Sequence, residues 1–364
     1  MARELLVETT LISDASACYV IAEIGHNHQG NLEKAKDLFR AAKECGVNAV
    51  KLQKRDNRLL YTRAMYEMSY LHENSFGPTY GAHREALEFG RDEYAELQGY
   101  ARSLDLTMFA TAFDFSSADV LAELGMPAYK IASGDLRNTP LLKHVARIGK
   151  PMFVSTGGGS LEDVQRAYDT IRPINPHLCL MQCTASYPCE PSEMNLRVIT
   201  AFREQFPDII IGLSDHQNGI AMSVAAYVLG ARVIEKHFTL NRAWKGTDHA
   251  FSLEPVGLRK MVRDLQRLWV ALGDGIKRPF PSENTPLYKM GKKLVAARNL
   301  PAGHVLNRED IAIKSPNDGL PPYELERVIG CHLSRPLAQD ENISWEILAP
   351  GVETTRRYKH EAIQ

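Results

Sequence analysis

The sequence predicts an α/β protein: a closed (β/α)8 TIM barrel followed by a small β-rich domain. Three observations carry this expectation. Eight short runs rich in apolar and β-branched residues recur from Cys18 to Thr239. Segments with helical periodicity fill the gaps between them, the alternation of a parallel sheet wrapped in helices. The pattern stops near Gly273 and gives way to a stretch rich in Pro, Gly and Lys. The competing arrangement, an open doubly wound sheet, often carries a Gly-rich phosphate loop after its first strand. Here the first strand runs into "EIGHNHQG", which lacks the G-x-G-x-x-G spacing.

In order, the expected strands are 18–25 (CYVIAEIG), 48–54 (NAVKLQK), 107–114 (TMFATAFD) and 128–134 (AYKIASG). Then follow 151–158 (PMFVSTGG), 179–188 (CLMQCTASYP), 209–216 (IIIGLSDH) and 232–239 (RVIEKHFT). The first helix has Asn31 as N-cap, Leu32, Ala35, Leu38, Phe39 and Ala42 on one face, and Gly46 as its stop. "SLEDVQRAYDTIR" opens on Ser160 as N-cap with Asp163 in its first turn. One long connection, 55–91, separates the second strand from its helix, and such a loop in a compact domain is usually functional. The expected organisation is a barrel over 1–273, a linker over 274–291, the small domain over 292–350 and a polar tail over 351–364.

Composition is that of an ordinary soluble enzyme, 44% hydrophobic and 24% charged with a formal net charge of −1. That balance gives no electrostatic reason for a nucleic-acid or anionic-membrane partner. The N-terminal stretch has no apolar signal-like core, and no run approaches the ~18 apolar residues that span a bilayer. A cytoplasmic location is expected, and the six scattered cysteines read as reduced thiols.

In a barrel, catalytic groups gather at the C-terminal ends of strands, and side chains two apart share a face. Read this way, Lys51 pairs with Gln53, Ser214 with His216, and Glu235 with His237. Two histidines on adjacent strands suit a divalent cation whose shell is completed by water or substrate. Lys51 and Lys130 lie in apolar strands, where a lysine must be paired or must bind an anion. The serines of "KIASGD", "FVSTGG" and "GLSDH" add hydroxyls of the kind that hold phosphate and carboxylate. A small, multiply charged anion beside a metal is therefore expected. A lysine-dependent Schiff-base aldolase is the alternative chemistry.

Taken together, "AEIGHNHQG", "VKLQK", "KIASGD", "STGG", "QCTASYP", "GLSDH", "VIEKHFT" and "WKGTDHAFSLEP" resemble the sialic acid synthase family. The resemblance runs from residue 18 to about 350, and the last unit is similar to the family's small antifreeze-like (SAF) domain. It implies condensation of phosphoenolpyruvate with an N-acetylated hexosamine to a nine-carbon 2-keto acid. The implied roles are phosphoenolpyruvate binding for Lys51, Thr111, Lys130, Ser133, Ser155 and Ser214, and binding of Mn2+ (or Mg2+ or Co2+) for His216 and His237. Glu23, Tyr187 and Asp248 would contact the sugar, and Glu23 or Asp135 would orient the attacking water. A homodimer exchanging its small domains is implied as well.

"NHQG", "AKECG", "TYG" and "WKGTDH" are closest to the animal-type branch, which typically takes a 6-phosphorylated hexosamine. The chain departs from common patterns at Asp135, Ala185 and Ser315, with Lys314 as a substitute for an arginine, and at Glu73 and Pro78 near "TYG". Arg55, Arg58, His72, His83 and Arg84 remain in the long connection. Within the family, legionaminic and pseudaminic acid synthases are the nearest rivals. Synthases of eight- or seven-carbon keto acids lack the appended domain, and a non-catalytic sugar-binding barrel would be expected to lose a histidine or a lysine.

Overall fold

The structure is a computed structural model that describes residues 3–349. It opens with a hairpin that sequence reading left unassigned: β1 (Glu4–Val7) pairs antiparallel with β2 (Thr10–Ser13). Leu5, Val7 and Ile12 are buried against Tyr19, Ile21, Phe109, Phe153 and Val233. These partners belong to the early halves of barrel strands, so the hairpin plugs the end from which the strands start.

The eight strands are β3 (Tyr19–Gly25), β4 (Ala49–Lys54), β5 (Thr107–Ala112), β6 (Tyr129–Ile131), β7 (Met152–Ser155), β8 (Leu178–Cys183), β9 (Ile210–Asp215) and β10 (Val233–His237). They close in that order, β10 pairing with β3, and every pair is parallel. Alternation sorts each strand. On β3, Val20, Ala22 and Ile24 pack into the helix layer, whereas Tyr19 and Ile21 point to the interior. The next inward residue is Glu23. The interior is thus apolar where the strands start and ionic where they end, which answers the solvation problem by placing charge at the open mouth.

Six of the eight strands end earlier than the sequence suggested, the fourth, fifth and sixth by three residues or more. The fourth stops at Ile131 because Ser133–Asp135 forms a 3-10 turn, and the sixth stops at Cys183. The 3-10 turn releases the backbone from the ladder at Ser133, whose hydroxyl lines the site. The expected helix caps are present: Asn31 Oδ1 accepts from Lys34 N at 2.8 Å, and Ser160 and Asp163 form a reciprocal capping box. The long connection holds three short helices, Asn57–Leu60, Arg63–Glu67 and Tyr80–Glu85, capped by Asp56, Thr62 and Thr79. A sidechain-capped, helical connection is ordered enough to hold functional groups in place.

The chain divides into two compact units at Gly273/Asp274. Within the second, β11 (Lys293–Ala296) pairs with β12 (Ile311–Lys314), and β13 (His332–Leu333) with β14 (Leu348–Ala349). Leu294, Leu300, Ile311, Val328, Leu337 and Ile343 form its core. The stretch expected as a linker contains a helix, Asn284–Met290. The tail expected over 351–364 lies outside the described residues.

Candidate active site

At the C-terminal ends of the barrel strands lies a cavity of about 460 Å³. Its floor is built by the parallel register, which sets Lys51 beside Glu23, Thr111 beside Lys130, and Ser214 beside Glu235. Lys51 Nζ is 2.8 Å from Glu23 Oε2, 3.7 Å from Glu235 Oε1, and donates to Thr111 Oγ1 at 2.8 Å. Lys130 Nζ donates to Ser155 Oγ at 2.6 Å and lies 3.6 Å from Glu235 Oε1. Ser214 Oγ donates to the same carboxylate oxygen at 3.3 Å. Glu235 is therefore the shared counter-ion of both lysines. Burial pushes its carboxyl up, but the two ammonium groups outweigh that and bring it down to about 2. Glu23 goes the other way, because burial exceeds the help it receives from Lys51. Burial also pulls Lys130 below the usual lysine range.

Ser133 sits above this floor. Its Oγ accepts from Gly157 N at 3.0 Å, and a Cβ on Gly157 would stand 2.7 Å from that oxygen. The first glycine of "STGG" thus permits two strand-end turns to approach each other.

The rim carries His216 and His237, with ring centroids 5.4 Å apart, and Tyr187, whose ring lies 4.2 Å from that of His216. His216 Nδ1 donates to the Thr184 carbonyl at 2.9 Å, which leaves Nε2 as the ring's lone pair. His237 Nδ1 is buried with no hydrogen-bond partner, and Asp248 Oδ2 is 3.7 Å from it. Burial brings the His237 ring down to about 3, so it is a neutral imidazole. An oriented imidazole beside a neutral, unpartnered one is a donor set that fits a divalent cation. Among the described residues, no three His, Cys, Asp or Glu side chains form a complete metal site. Two protein ligands would leave the remaining positions to water and substrate.

Gln53, Arg55, Arg84 and His26 line the same cavity. Gln53 Nε2 donates to Glu23 Oε1 at 2.6 Å, and Gln53 Oε1 accepts from Arg55 at 2.6 Å.

The model of the NeuB family matches residues 38–277, and that of the SAF domain matches residues 293–349. The chain belongs to the NeuB family. Human N-acetylneuraminate-9-phosphate synthase is 40% identical over 332 residues, which cover 91% of this chain and 92% of the human protein. The N,N'-diacetyllegionaminic acid synthase of Legionella pneumophila is 33% identical over 335 residues, or 90% and 94% of the two chains. Among solved structures, the sialic acid synthetase of Leptospira borgpetersenii superposes with a TM-score of 0.69 at 30% identity. That match covers 79% of this chain and 95% of the Leptospira chain.

Of the residues singled out from this NeuB-family sequence, Glu23, Lys51, Thr111, Lys130, Ser133, Ser155, Tyr187, Ser214, His216, His237 and Asp248 all line the one cavity. Asp135 does not. It lies in the 3-10 turn and accepts from Asn138 Nδ2 at 3.0 Å, which steadies the cap of the following helix. Other strand-end polar groups are also structural. Asn27 holds Phe238 O and Ser252 Oγ, and Asp114 caps its helix through Ser117 N. Sequence reasoning gave Glu235 no role and passed over His26. For Glu235 a signal existed, since it stands two residues before His237 on the same face. For His26 there was none, because it follows the strand in a turn.

Proposed function

We propose that this chain condenses phosphoenolpyruvate with N-acetylmannosamine, or its 6-phosphate, to N-acetylneuraminate, or its 9-phosphate, with release of phosphate. The observation that carries the reading is the convergence of Lys51 and Lys130, with Thr111, Ser133, Ser155 and Ser214, below two rim histidines in one cavity. Lys51 and Lys130 share Glu235, Lys51 also pairs with Glu23, and the ammonium N–H groups together with the surrounding hydroxyls supply directional bonds to phosphate and carboxylate oxygens. The names of the relatives with N-acetylneuraminate-9-phosphate synthase activity, from human, mouse and fly, support the same substrate pair.

In this reading, the enol carbon of phosphoenolpyruvate attacks the aldehyde carbon of the open-chain sugar, whose oxygen takes up a proton. Water adds to the resulting cationic C2 and gives up its own proton. Phosphate then leaves with its bridging oxygen by C–O cleavage. Lys51 and Lys130 hold the anion through hydrogen bonds and ion pairs, with no covalent bond to substrate. Glu23 orients the water or the sugar, because its carboxylate reaches the cavity and that of Asp135 does not. His216 and His237 would hold a divalent cation, Mn2+ in the first instance, with Asp248 beside them. Such a cation supplies Lewis acidity toward an aldehyde oxygen. Tyr187 packs its ring, tilted by 35°, against His216 and would wall the sugar side.

A cytoplasmic setting and a homodimer belong to the same proposal. All six cysteines are free, as expected of a reducing compartment, and among the described residues no helix is long and apolar enough to cross a membrane. A single-chain mass by light scattering at micromolar concentration would remove the dimer. The reading itself is tested by phosphate release from phosphoenolpyruvate after EDTA treatment and Mn2+ restoration, with N-acetylmannosamine and its 6-phosphate offered separately. Turnover of one of them only when metal is restored is expected. Turnover of a diacetylated diamino sugar alone would move the chain to the legionaminic branch, where a relative is 33% identical.

A further inference from the structure

We propose that Arg55, Arg84 and His26 form a second anion subsite of the cavity, which takes the phosphate of a hexosamine 6-phosphate. The inference rests on reading the lysine floor as the phosphoenolpyruvate site, and it selects the phosphorylated acceptor over the free sugar. Arg55 is 6% exposed, and Arg84 shares its wall of the cavity. Among the described residues, neither guanidinium forms an ion pair with a carboxylate. Arg55 contacts His26 Nε2 at 2.9 Å and Gln53 Oε1 at 2.6 Å. Arg84 contacts the Tyr80 hydroxyl at 2.8 and 3.1 Å and His26 Nδ1 at 3.3 Å. The carboxylates of the neighbourhood are engaged elsewhere: Glu88 by Lys54 at 2.9 Å, Glu85 by the Tyr66 hydroxyl at 3.1 Å. Asp248 lies 3.7 Å from His237 Nδ1 and is near enough to favour the charged form of Arg84 without forming an ion pair with it. Arg55, buried with no carboxylate in contact, and the half-buried Arg84 beside it are costly to hold together unless an anion joins them.

The histidine between them sharpens the point. A guanidinium can only donate, and a neutral imidazole has one lone pair. His26 meets an arginine N–H at both ring nitrogens, so in either tautomer one contact is donor against donor. Protonation does not relieve this, since it adds a second donor, and burial with the two arginines holds His26 neutral. An oxyanion placed there accepts the displaced N–H and the free imidazole N–H together. The Arg55 plane stacks on Phe113, 3.7 Å to the ring centroid, which fixes the face and leaves the edge for a planar fork to phosphate.

Position tells which anion this is. Lys51, Glu23, Gln53, Arg55, His26 and Arg84 form an unbroken run of contacts along the wall. Glu23 and Gln53 thus separate the lysine end from the arginine end. An acceptor whose reacting aldehyde meets phosphoenolpyruvate at the lysine end lies along Glu23 and Gln53. Its terminal carbon then reaches the arginines.

The test uses the full-length protein and Arg84→Gln, Arg84→Lys and Arg55→Gln variants. Equilibrium binding of N-acetylmannosamine and its 6-phosphate is measured by calorimetry without phosphoenolpyruvate, and kcat/KM is measured for each sugar. The native chain should prefer the 6-phosphate by roughly 100-fold, the scale of two charge-assisted bonds. In Arg84→Gln that preference should fall to within about fivefold, with partial recovery in Arg84→Lys and a KM for phosphoenolpyruvate within about twofold of native. Arg84 lies on a short helix of the long connection, so its variants report even if Arg55→Gln fails to fold. Equal binding of the two sugars by the native chain would overturn the subsite. So would a loss that appears in the KM for phosphoenolpyruvate rather than in sugar preference. Arginine-dependent binding of the 6-phosphate without turnover of either sugar would uphold the subsite and sink the condensation reading instead.

Discussion

The lysines of this cavity have their charge answered by particular neighbours, whereas Arg55 and Arg84 pair with no carboxylate among the described residues. Lys130 is bonded to Ser155 and shares Glu235 with Lys51, so a bound anion would complete its partners. Replacement by methionine keeps much of the volume and removes the donor. We expect Lys130→Met to lower kcat/KM for phosphoenolpyruvate roughly 100-fold while the fold is retained, as circular dichroism and steady-state kinetics would report. A loss below about threefold would take Lys130 out of the anion site. At this scale the sequence was informative wherever charge interrupted an apolar strand: Lys51, Lys130, Ser214, His216 and His237 could all be read from period-two alternation. It was silent on who compensates whom. Glu235 became central only when closure of the barrel brought β4, β6 and β9 around β10.

Adjacent strand ends are also tied together on the outer face of the barrel. Lys236 and Asp215, each next to a rim histidine in sequence, form an ion pair at 2.9 Å with both side chains at most 1% exposed. Asp215 also accepts from Ser223 Oγ at 2.6 Å and Gln217 N at 2.9 Å. The excess of ionisable residues in "VIEKHFT" therefore divides by face: Glu235 and His237 serve the cavity, whereas Lys236 clamps β10 to β9. Breaking one half of a buried pair strands the other, so Lys236→Met should cost about 3–5 kcal/mol in denaturant unfolding. A cost under about 1 kcal/mol would mean that Asp215 is satisfied without it. Helix starts such as Asn31 and Ser160 were legible because caps are local chemistry. The early ends of β6 and β8 were not, because the apolar pattern continues past the point where the turns begin. The β1–β2 hairpin escaped notice for the opposite reason, since its alternation is too short to stand out before it is packed against the barrel.

For the whole molecule, the eightfold alternation and the change of composition after Gly273 made the architecture readable, and the family models over 38–277 and 293–349 agree with both halves of it. What sequence left open was the acceptor, because the groups that distinguish a sugar from its phosphate lie in the connection 55–91 and in a turn. Only the fold brings Arg55, Arg84 and His26 to one wall. The central claim is that this cavity drives carbon–carbon bond formation with loss of phosphate through C–O cleavage. Phosphoenolpyruvate labelled with 18O at its bridging oxygen, supplied with metal and the N-acetylmannosamine 6-phosphate acceptor, tests it directly. We expect the released phosphate to carry the heavy oxygen, read by mass spectrometry, in step with formation of the nine-carbon keto acid. Unlabelled phosphate, or phosphate release without a condensed product, would contradict the account.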